Sequence, residues 1–218
     1  MKLAVFSLPD YHEGEEEVVK SLFEEGLEHF HLRKPGWEKE QVLGYLRNLH
    51  PSSYRNIIIH NNYDLIQKYN LKGIHLPGTY IENANSRQLN LLIKEAQLRG
   101  LRVTGAAHSM DEVKNCKIRY ESLFLSPLFD SISKEGYKSG FILKDLGNDL
   151  IEYKKGKKYS EIWALGGITE KNLCIALQMG FAGAGILGAV WNEFKNKGKE
   201  AAVTVFKNLK HTYVNCKA

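Results

Sequence analysis

The sequence has little of what several common protein classes require. Its 218 residues include only three cysteines, Cys116, Cys174 and Cys216, which are widely separated and odd in number. This usage is typical of a reducing compartment and predicts no disulfide framework. The sequence also lacks CxxC pairs and closely spaced metal ligands, so zinc-finger and dithiol motifs are excluded and no bound metal is expected.

Long apolar runs and dense charge are missing as well. No apolar run approaches the length of a membrane span, and the N-terminal segment turns acidic after a short apolar stretch, unlike a signal peptide. We therefore expect a cytoplasmic protein. The net charge of +5 is spread along the chain. The one dense basic run, at 154–158, is not accompanied by interspersed aromatic residues, as a nucleic-acid-binding motif would be. Neither nucleic acid nor a membrane is an expected partner.

What is present is an alternation of strand and helix patterns. The chain is 43% hydrophobic, which is enough for one sizeable core, so residues 1–218 are expected to form one domain. Short apolar runs rich in β-branched and aromatic residues alternate with longer amphipathic segments, as in βαβ units. Eight such units predict an α/β fold, a single (β/α)₈ TIM barrel. The predicted strands are 3–8, 29–34, 56–61, 73–77, 102–108, 122–127, 161–167 and 183–189.

Helical periodicity fills the intervals between these strands. Amphipathic spacing predicts helices at 14–27, 37–49, 87–99 and 195–210. Capping residues mark the starts of helices, namely Asn61 or Asn62, Ser86, Ser109 and Thr169.

Two glycine-containing turns follow the last two predicted strands. Gly166 and Gly167 end the seventh strand, and Leu187 and Gly188 end the eighth. Glycine has no Cβ to block an approaching anion, and the loops after strands seven and eight of a TIM barrel commonly bind phosphate. These four residues are predicted to bind phosphate, the alternative being tight turns without a ligand.

The second strand carries polar residues at alternate positions. His29, His31 and Arg33 share one face, and if that face is the barrel interior, His31 and Arg33 rise toward the mouth. A cation there would suit an anionic substrate. The alternative is that Arg33 pairs with a carboxylate on a neighbouring strand.

The third and fourth strands add further polar residues. His60 and Asn61 end the third strand and are predicted to bind substrate, whereas His75 in the fourth is interpreted as a hydrogen-bonded structural histidine.

The fifth strand ends on His108, after two alanines that leave an imidazole room to reach a ligand. Imidazole titrates near neutrality, so His108 is predicted to be the catalytic acid-base, although it could simply introduce the helix capped by Ser109. The polar segment 128–140 is predicted to be an active-site flap whose Ser131, Ser133 and Lys134 contact substrate.

Six segments, in chain order, resemble the thiamine phosphate synthase family, which includes the TenI-like thiazole tautomerases. HLRK (31–34) is similar to the family's QLREK, and ALGGITEKN (164–172) is similar to its aiGGIxxxN. The other four segments are 57–77, 104–113, 126–134 and 182–190. The resemblance covers nearly the whole chain and implies the same barrel fold.

The resemblance also shows where this chain departs from the synthases. Their reaction joins a pyrimidine diphosphate to a thiazole phosphate, and the resemblance implies Mg²⁺ held by carboxylates, plus a lysine. At the matching positions this chain has His60-Asn61, Tyr80 and Pro35, although Asp64 and Glu82 lie nearby. Two oxygen ligands and one cation are therefore missing together.

The tautomerase branch of the family is similar to this chain in the site residues that the chain does contain. It resembles this chain in its basic HxR-type second strand and in a histidine at the position of His108. Its reaction moves a proton on a carboxylated thiazole phosphate so that the ring becomes aromatic, which needs an acid-base and anion binding but no metal. We therefore expect a thiazole tautomerase without a cofactor. The alternatives are a Mg²⁺-dependent synthase and a non-catalytic protein that binds the phosphate ligand. The resemblance also suggests a homodimer.

Overall fold

Eight parallel strands close in chain order into a barrel in the computed structural model, which describes residues 1–130, 139–156 and 160–216. Each strand pairs with the next, and β8 pairs with β1, so the predicted (β/α)₈ barrel is confirmed. The strands are β1 (Leu3–Phe6), β2 (His29–Leu32), β3 (Ile57–Ile59), β4 (Gly73–Leu76), β5 (Arg102–Ala107), β6 (Ser122–Leu125), β7 (Glu161–Leu165) and β8 (Gly183–Ile186).

Helices follow most of the strands and surround the barrel. They are α1 (Glu15–Glu24), α2 (Lys39–Arg47), α3 (Gly78–Asn83), α4 (Ser86–Leu98), α5 (Met110–Asn115), α6 (Leu143–Lys154), α7 (Glu170–Gln178), α8 (Gly188–Lys197) and α9 (Lys199–Asn215). Two 3₁₀ segments, Pro51–Asn56 and Tyr63–Gln67, flank β3, the second of them between β3 and β4.

Two of the differences between predicted and observed helix boundaries have a clear local cause. The helix predicted at 195–210 is divided between α8 and α9 because Gly198 adopts a φ of 84°, which ends one helix before the next begins. Ser86 is the first residue of α4 and not its cap. The cap is Asn85, whose side chain accepts a hydrogen bond from the Arg87 amide at 2.9 Å.

The apolar core has two parts. The larger part lies between the strands and the surrounding helices, and a smaller cluster of Ala4, Phe6, Phe124 and Trp163 fills the barrel interior. The His29 and His31 rings share this interior, since His29 contacts Trp163 and His31 stacks on Phe6 with ring centroids 4.4 Å apart. The interior is therefore packed, and ligands can enter only at its mouth.

The cysteines do not behave as the sequence predicted. Cys174 in α7 and Cys216, directly after α9, form a disulfide with a Cα–Cα distance of 5.6 Å. The prediction that the cysteines form no disulfide is wrong for these two because α9 packs against α7 and brings residues 42 positions apart into contact. Cys116 is a free, exposed thiol. Within the described ranges, no helix combines the length and apolarity needed to cross a bilayer.

Candidate active site

A cavity of about 800 Å³ opens at the carboxyl ends of the strands. Phe6 forms part of its wall, and glycines after β7 and β8 line another side. The predicted site residues that line it are Arg33, His60, His108, Gly166, Gly167, Leu187 and Gly188. These residues come from five different strand ends, and closure of the barrel brings them to one place.

The turn after β7 requires glycine. Gly166 and Gly167 have φ values of 93° and 66°, and a Cβ on Gly167 would lie 2.4 Å from the Asp130 carbonyl oxygen. Asn172 donates to the Gly167 carbonyl at 2.9 Å and so holds this partially negative oxygen against the first turn of α7.

The turn after β8 leads directly into a helix. α8 begins at Gly188, which lines the cavity together with Leu187. The amides of a helix's first turn have no intrahelical acceptor, and the helix dipole places partial positive charge there. β7 and β8 are hydrogen-bonded neighbours, so this helix end and the Gly166-Gly167 turn border the same part of the cavity. This arrangement can bind a phosphate group.

His108 presents one ring nitrogen to the cavity. Its Nδ1 lies 2.9 Å from the carbonyl oxygen of Ser126, which only accepts hydrogen bonds, so Nδ1 carries the proton and Nε2 carries the lone pair. The His108 backbone amide donates to Glu112 at 2.8 Å, and Ser109 caps α5. The Ser126 carbonyl therefore orients the ring, and the start of α5 holds the backbone. No residue of the described ranges bonds to Nε2, which can exchange a proton with a ligand.

Arg33 provides the cavity with a positive charge. Its backbone amide donates to Ser7 Oγ at 2.8 Å, which fixes the chain at the end of β2. Among residues 1–130, 139–156 and 160–216, its guanidinium has no ion-pair or hydrogen-bond partner. The alternative interpretation, an Arg33 tied to a strand carboxylate, thus has no support among these residues.

Three histidines meet at the floor of the cavity. His31 Nδ1 lies 3.1 Å from His60 Nε2, and the rings of His60 and His75 stack with centroids 4.1 Å apart. His60 and His75 line the cavity, whereas His31 is 1% exposed and does not. Burial lowers the pKa of all three imidazoles, that of His75 to about 3, so they are neutral at pH 7.

Other predicted residues fall elsewhere. The Asn61 side chain donates to the carbonyls of Lys34 and Trp37 at 3.4 and 3.2 Å, so it holds the loop after β2 and does not line the cavity. Ser131, Ser133 and Lys134 lie outside the described residues. His75, interpreted from the sequence as structural, does line the cavity. Its position inside a strand, two residues before a proline, gave no sign that it would reach the mouth.

A second cavity of about 440 Å³ lies on the other side of His108. Asp111, Asp145 and Asp149 line it. Three carboxylates would repel an anion, so the barrel mouth with Arg33 is the better site for a phosphorylated ligand.

The residues at the mouth do not fit a magnesium site of the kind that the family resemblance implies. His60 is engaged with His31, and Asp64 pairs with Lys39 outside the cavity. Two carboxylates line the cavity in the described part of the chain, and that of Glu112 accepts the His108 amide, which leaves Glu82. Mg²⁺ prefers hard oxygen ligands, whereas the donors here are mainly nitrogen.

Comparison with solved structures gives clear relatives, although neither protein-family models nor curated proteins give a match. The chain is 30% identical to a thiamine phosphate pyrophosphorylase from Bacteroides thetaiotaomicron, with a TM-score of 0.77 and coverage of 98% of both chains. A thiamine phosphate pyrophosphorylase from Pyrococcus furiosus is 17% identical, with a TM-score of 0.75 and coverage of 100% and 97%. A 3-hexulose-6-phosphate synthase from Salmonella typhimurium is 12% identical, with a TM-score of 0.57 and coverage of 97% and 100%, and shares only the fold.

Proposed function

Because the chain belongs to the thiamine phosphate synthase family, also called thiamine phosphate pyrophosphorylases, we propose that it is a thiazole phosphate tautomerase. The observation that carries this proposal is the donor set at the mouth. Within the described residues, an imidazole nitrogen and a guanidinium without protein partners line the cavity together with two turns suited to anions, whereas most of the carboxylates that would hold Mg²⁺ are engaged elsewhere or absent.

Each part of the cavity has a role in this reaction. The phosphate binds to the amides at Gly166, Gly167 and Gly188, and the guanidinium of Arg33 holds the ring carboxylate. These two anchors position the thiazole ring between them. His108 Nε2 then removes the proton from one ring atom and returns a proton to another, so that the ring becomes aromatic.

The orientation of His108 supports this role. The Ser126 carbonyl holds the proton on Nδ1 throughout the cycle, because it can accept this hydrogen bond whether Nε2 is protonated or not. Acid-base catalysis by one well-placed group typically contributes about 10²–10⁴ in rate. Substrate and product are isomers that differ only in the position of one proton, so the reaction involves neither a redox step nor a leaving group.

The second candidate is a synthase, which the names of the two pyrophosphorylase relatives favour. Glu82 lines the cavity and could contribute one oxygen ligand. A synthase would form thiamine phosphate from the pyrimidine diphosphate and the thiazole phosphate only with Mg²⁺, and a chelator would abolish the activity.

The test is a tautomerase assay of the wild type, His108→Asn and His211→Asn, in the presence of a chelator. His211 is an exposed histidine of α9 and serves as the control. We expect His108→Asn to lose about 10²–10⁴ in kcat while His211→Asn stays at the wild-type rate. Inorganic phosphate should still protect His108→Asn against heat, which shows that the site is intact. The proposal would be contradicted by unchanged turnover in His108→Asn, or by the absence of turnover in all three proteins.

A further inference from the structure

The three histidines at the cavity floor are the one group of three or more closely spaced potential metal ligands among the described residues. One ring nitrogen of each of His31, His60 and His75 lies within 4.8 Å of a ring nitrogen of the other two. They come from β2, the end of β3 and β4, so three neighbouring strands each contribute one imidazole. The proposed tautomerase reaction uses none of the three as a proton-transfer group.

Thr104 fixes the orientation of one ring. Its hydroxyl donates to the Ile74 carbonyl at 3.2 Å, so the oxygen accepts from His75 Nδ1, which lies 3.0 Å away. His75 Nδ1 therefore carries the proton, and His75 Nε2 keeps its lone pair. Metal-binding histidines are commonly oriented in this way, by a hydrogen bond from the nitrogen that does not bind the ion.

The other two rings already face each other. His31 Nδ1 and His60 Nε2 are 3.1 Å apart, and the proton that lies between them can move to the far nitrogen of the ring that carries it. Two imidazoles that bind one ion tetrahedrally at about 2.0–2.1 Å hold their nitrogens about 3.3 Å apart. This pair thus has nearly the required spacing. Because the His60 and His75 rings are stacked, binding requires rotation of the rings until the three nitrogens, which lie within 4.8 Å of one another, point at one ion.

The surroundings of the cluster leave one side open. Phe6 stacks on His31, and Phe124 contacts it with ring centroids 5.0 Å apart, so apolar rings close the lower side. On the upper side His60 and His75 line the cavity. An ion bound to three nitrogens here would keep a coordination position toward the cavity, as three-histidine sites with a free position do.

We propose that His31, His60 and His75 bind one divalent transition-metal ion of the Zn²⁺, Co²⁺ or Ni²⁺ class, with a free coordination position that faces the cavity. Neutral imidazole suits these ions and is a poor ligand for Mg²⁺ or Ca²⁺. This site is independent of the proposed tautomerase activity, because binding is measured without a thiazole ligand.

The test is a Co²⁺ titration of untagged, chelator-treated protein, followed by absorption spectroscopy and equilibrium dialysis. Untagged protein is needed because a histidine tag would itself bind the ion. We expect one Co²⁺ per chain, with visible d–d bands, and displacement of Co²⁺ by Zn²⁺. All proteins in the test carry Cys116→Ser, because Cys116 is an exposed thiol that could bind Co²⁺ by itself.

Variants then assign the site. His60→Gln and His75→Gln should lose the bands, whereas the exposed-histidine control His211→Asn should keep them. Thr104→Val keeps all three rings and the side-chain shape but removes the oxygen that orients His75, so the affinity should fall about 10–100-fold. Thr104→Ser should restore it. No bands at any Co²⁺ concentration, or bands that persist in His60→Gln and His75→Gln, would overturn the proposal and leave three neutral, hydrogen-bonded core histidines.

Discussion

Lys34 Nζ lies 2.5 Å from Glu15 Oε2, and both side chains are fully buried between β2 and α1. Lys34 also donates to the Asp10 carbonyl at 3.0 Å, and Glu15 accepts from the Leu8 amide at 3.2 Å. Each charge therefore has partners in addition to the other. The pair fixes α1 to the segment directly after β2, which carries Arg33.

The first prediction concerns the stability that this pair protects. Removing one partner leaves a buried charge without its counterion, so Glu15→Gln or Lys34→Met should lower the free energy of unfolding by about 3–5 kcal/mol. The double variant Glu15→Gln/Lys34→Met should lose less than the sum of the two single changes. Urea unfolding measures all three.

The exposed pair between Lys39 and Asp64 provides the matched control. Lys39→Met should cost at most about 1 kcal/mol, because water already solvates both charges. An equal loss in Lys34→Met and Lys39→Met would show that burial does not govern the stability of the pair.

The second prediction separates two reasons for glycine at position 167. Gly167→Ala places a methyl group 2.4 Å from the Asp130 carbonyl at a φ of 66°, so it meets both a backbone clash and left-handed strain. Gly100→Ala provides the control, since Gly100 has a φ of 69° and nothing within 4 Å of the added Cβ. Strain alone should cost Gly100→Ala about 1–2 kcal/mol.

Gly167→Ala should cost more than Gly100→Ala and should also weaken protection by inorganic phosphate, since Gly167 lines the cavity and Gly100 does not. Thermal unfolding with and without phosphate measures both effects. Equal destabilisation with unchanged phosphate protection would remove Gly167 from the proposed phosphate site.

The barrel and the position of its mouth could be predicted from the sequence because both follow from local patterns. Alternating apolar runs identified eight strands, and polar residues at their ends identified most of the cavity. The glycines of the last two turns were found in the same way, since a turn is encoded in a few consecutive residues.

Contacts between distant segments could not be predicted in this way. Glu15 lies in an acidic run that resembles a solvated helix start, and only packing of α1 on β2 buries it against Lys34. His60 and His75 are 15 positions apart, and their stacking depends on the register of β3 and β4. The pattern of residues within each strand does not specify how two strands are aligned with each other.

The third prediction concerns the covalent state of the cysteines. The disulfide between Cys174 and Cys216 closes a loop with a sequence separation of 42, so its reduction should lower the free energy of unfolding by about 2–4 kcal/mol. Thermal unfolding with and without a reductant measures this difference.

A thiol titration of denatured, unreduced protein checks the pairing itself. It should count one thiol per chain, that of Cys116, and none in Cys116→Ser. Three thiols in the unreduced wild type would contradict the pairing and restore the sequence-based prediction.

The fourth prediction tests the role of Arg33 and depends on the proposed function. If its guanidinium holds the ring carboxylate, Arg33→Gln should raise KM for the carboxylated thiazole phosphate about 10–100-fold, the usual effect of losing a charged hydrogen bond. Arg33→Lys should recover only part of this loss, because an ammonium group cannot form a bidentate hydrogen bond with the carboxylate. The exposed Arg87 of α4 provides the control, and Arg87→Gln should leave KM unchanged.

Inorganic phosphate distinguishes the two anchors of the substrate. Its inhibition constant should be the same in the wild type and in Arg33→Gln, since the phosphate binds at the glycine turns after β7 and β8. A parallel loss of phosphate and substrate affinity would mean that Arg33 contacts the phosphate and that another group holds the carboxylate. An unchanged KM in Arg33→Gln would show that this cation does not contact the substrate.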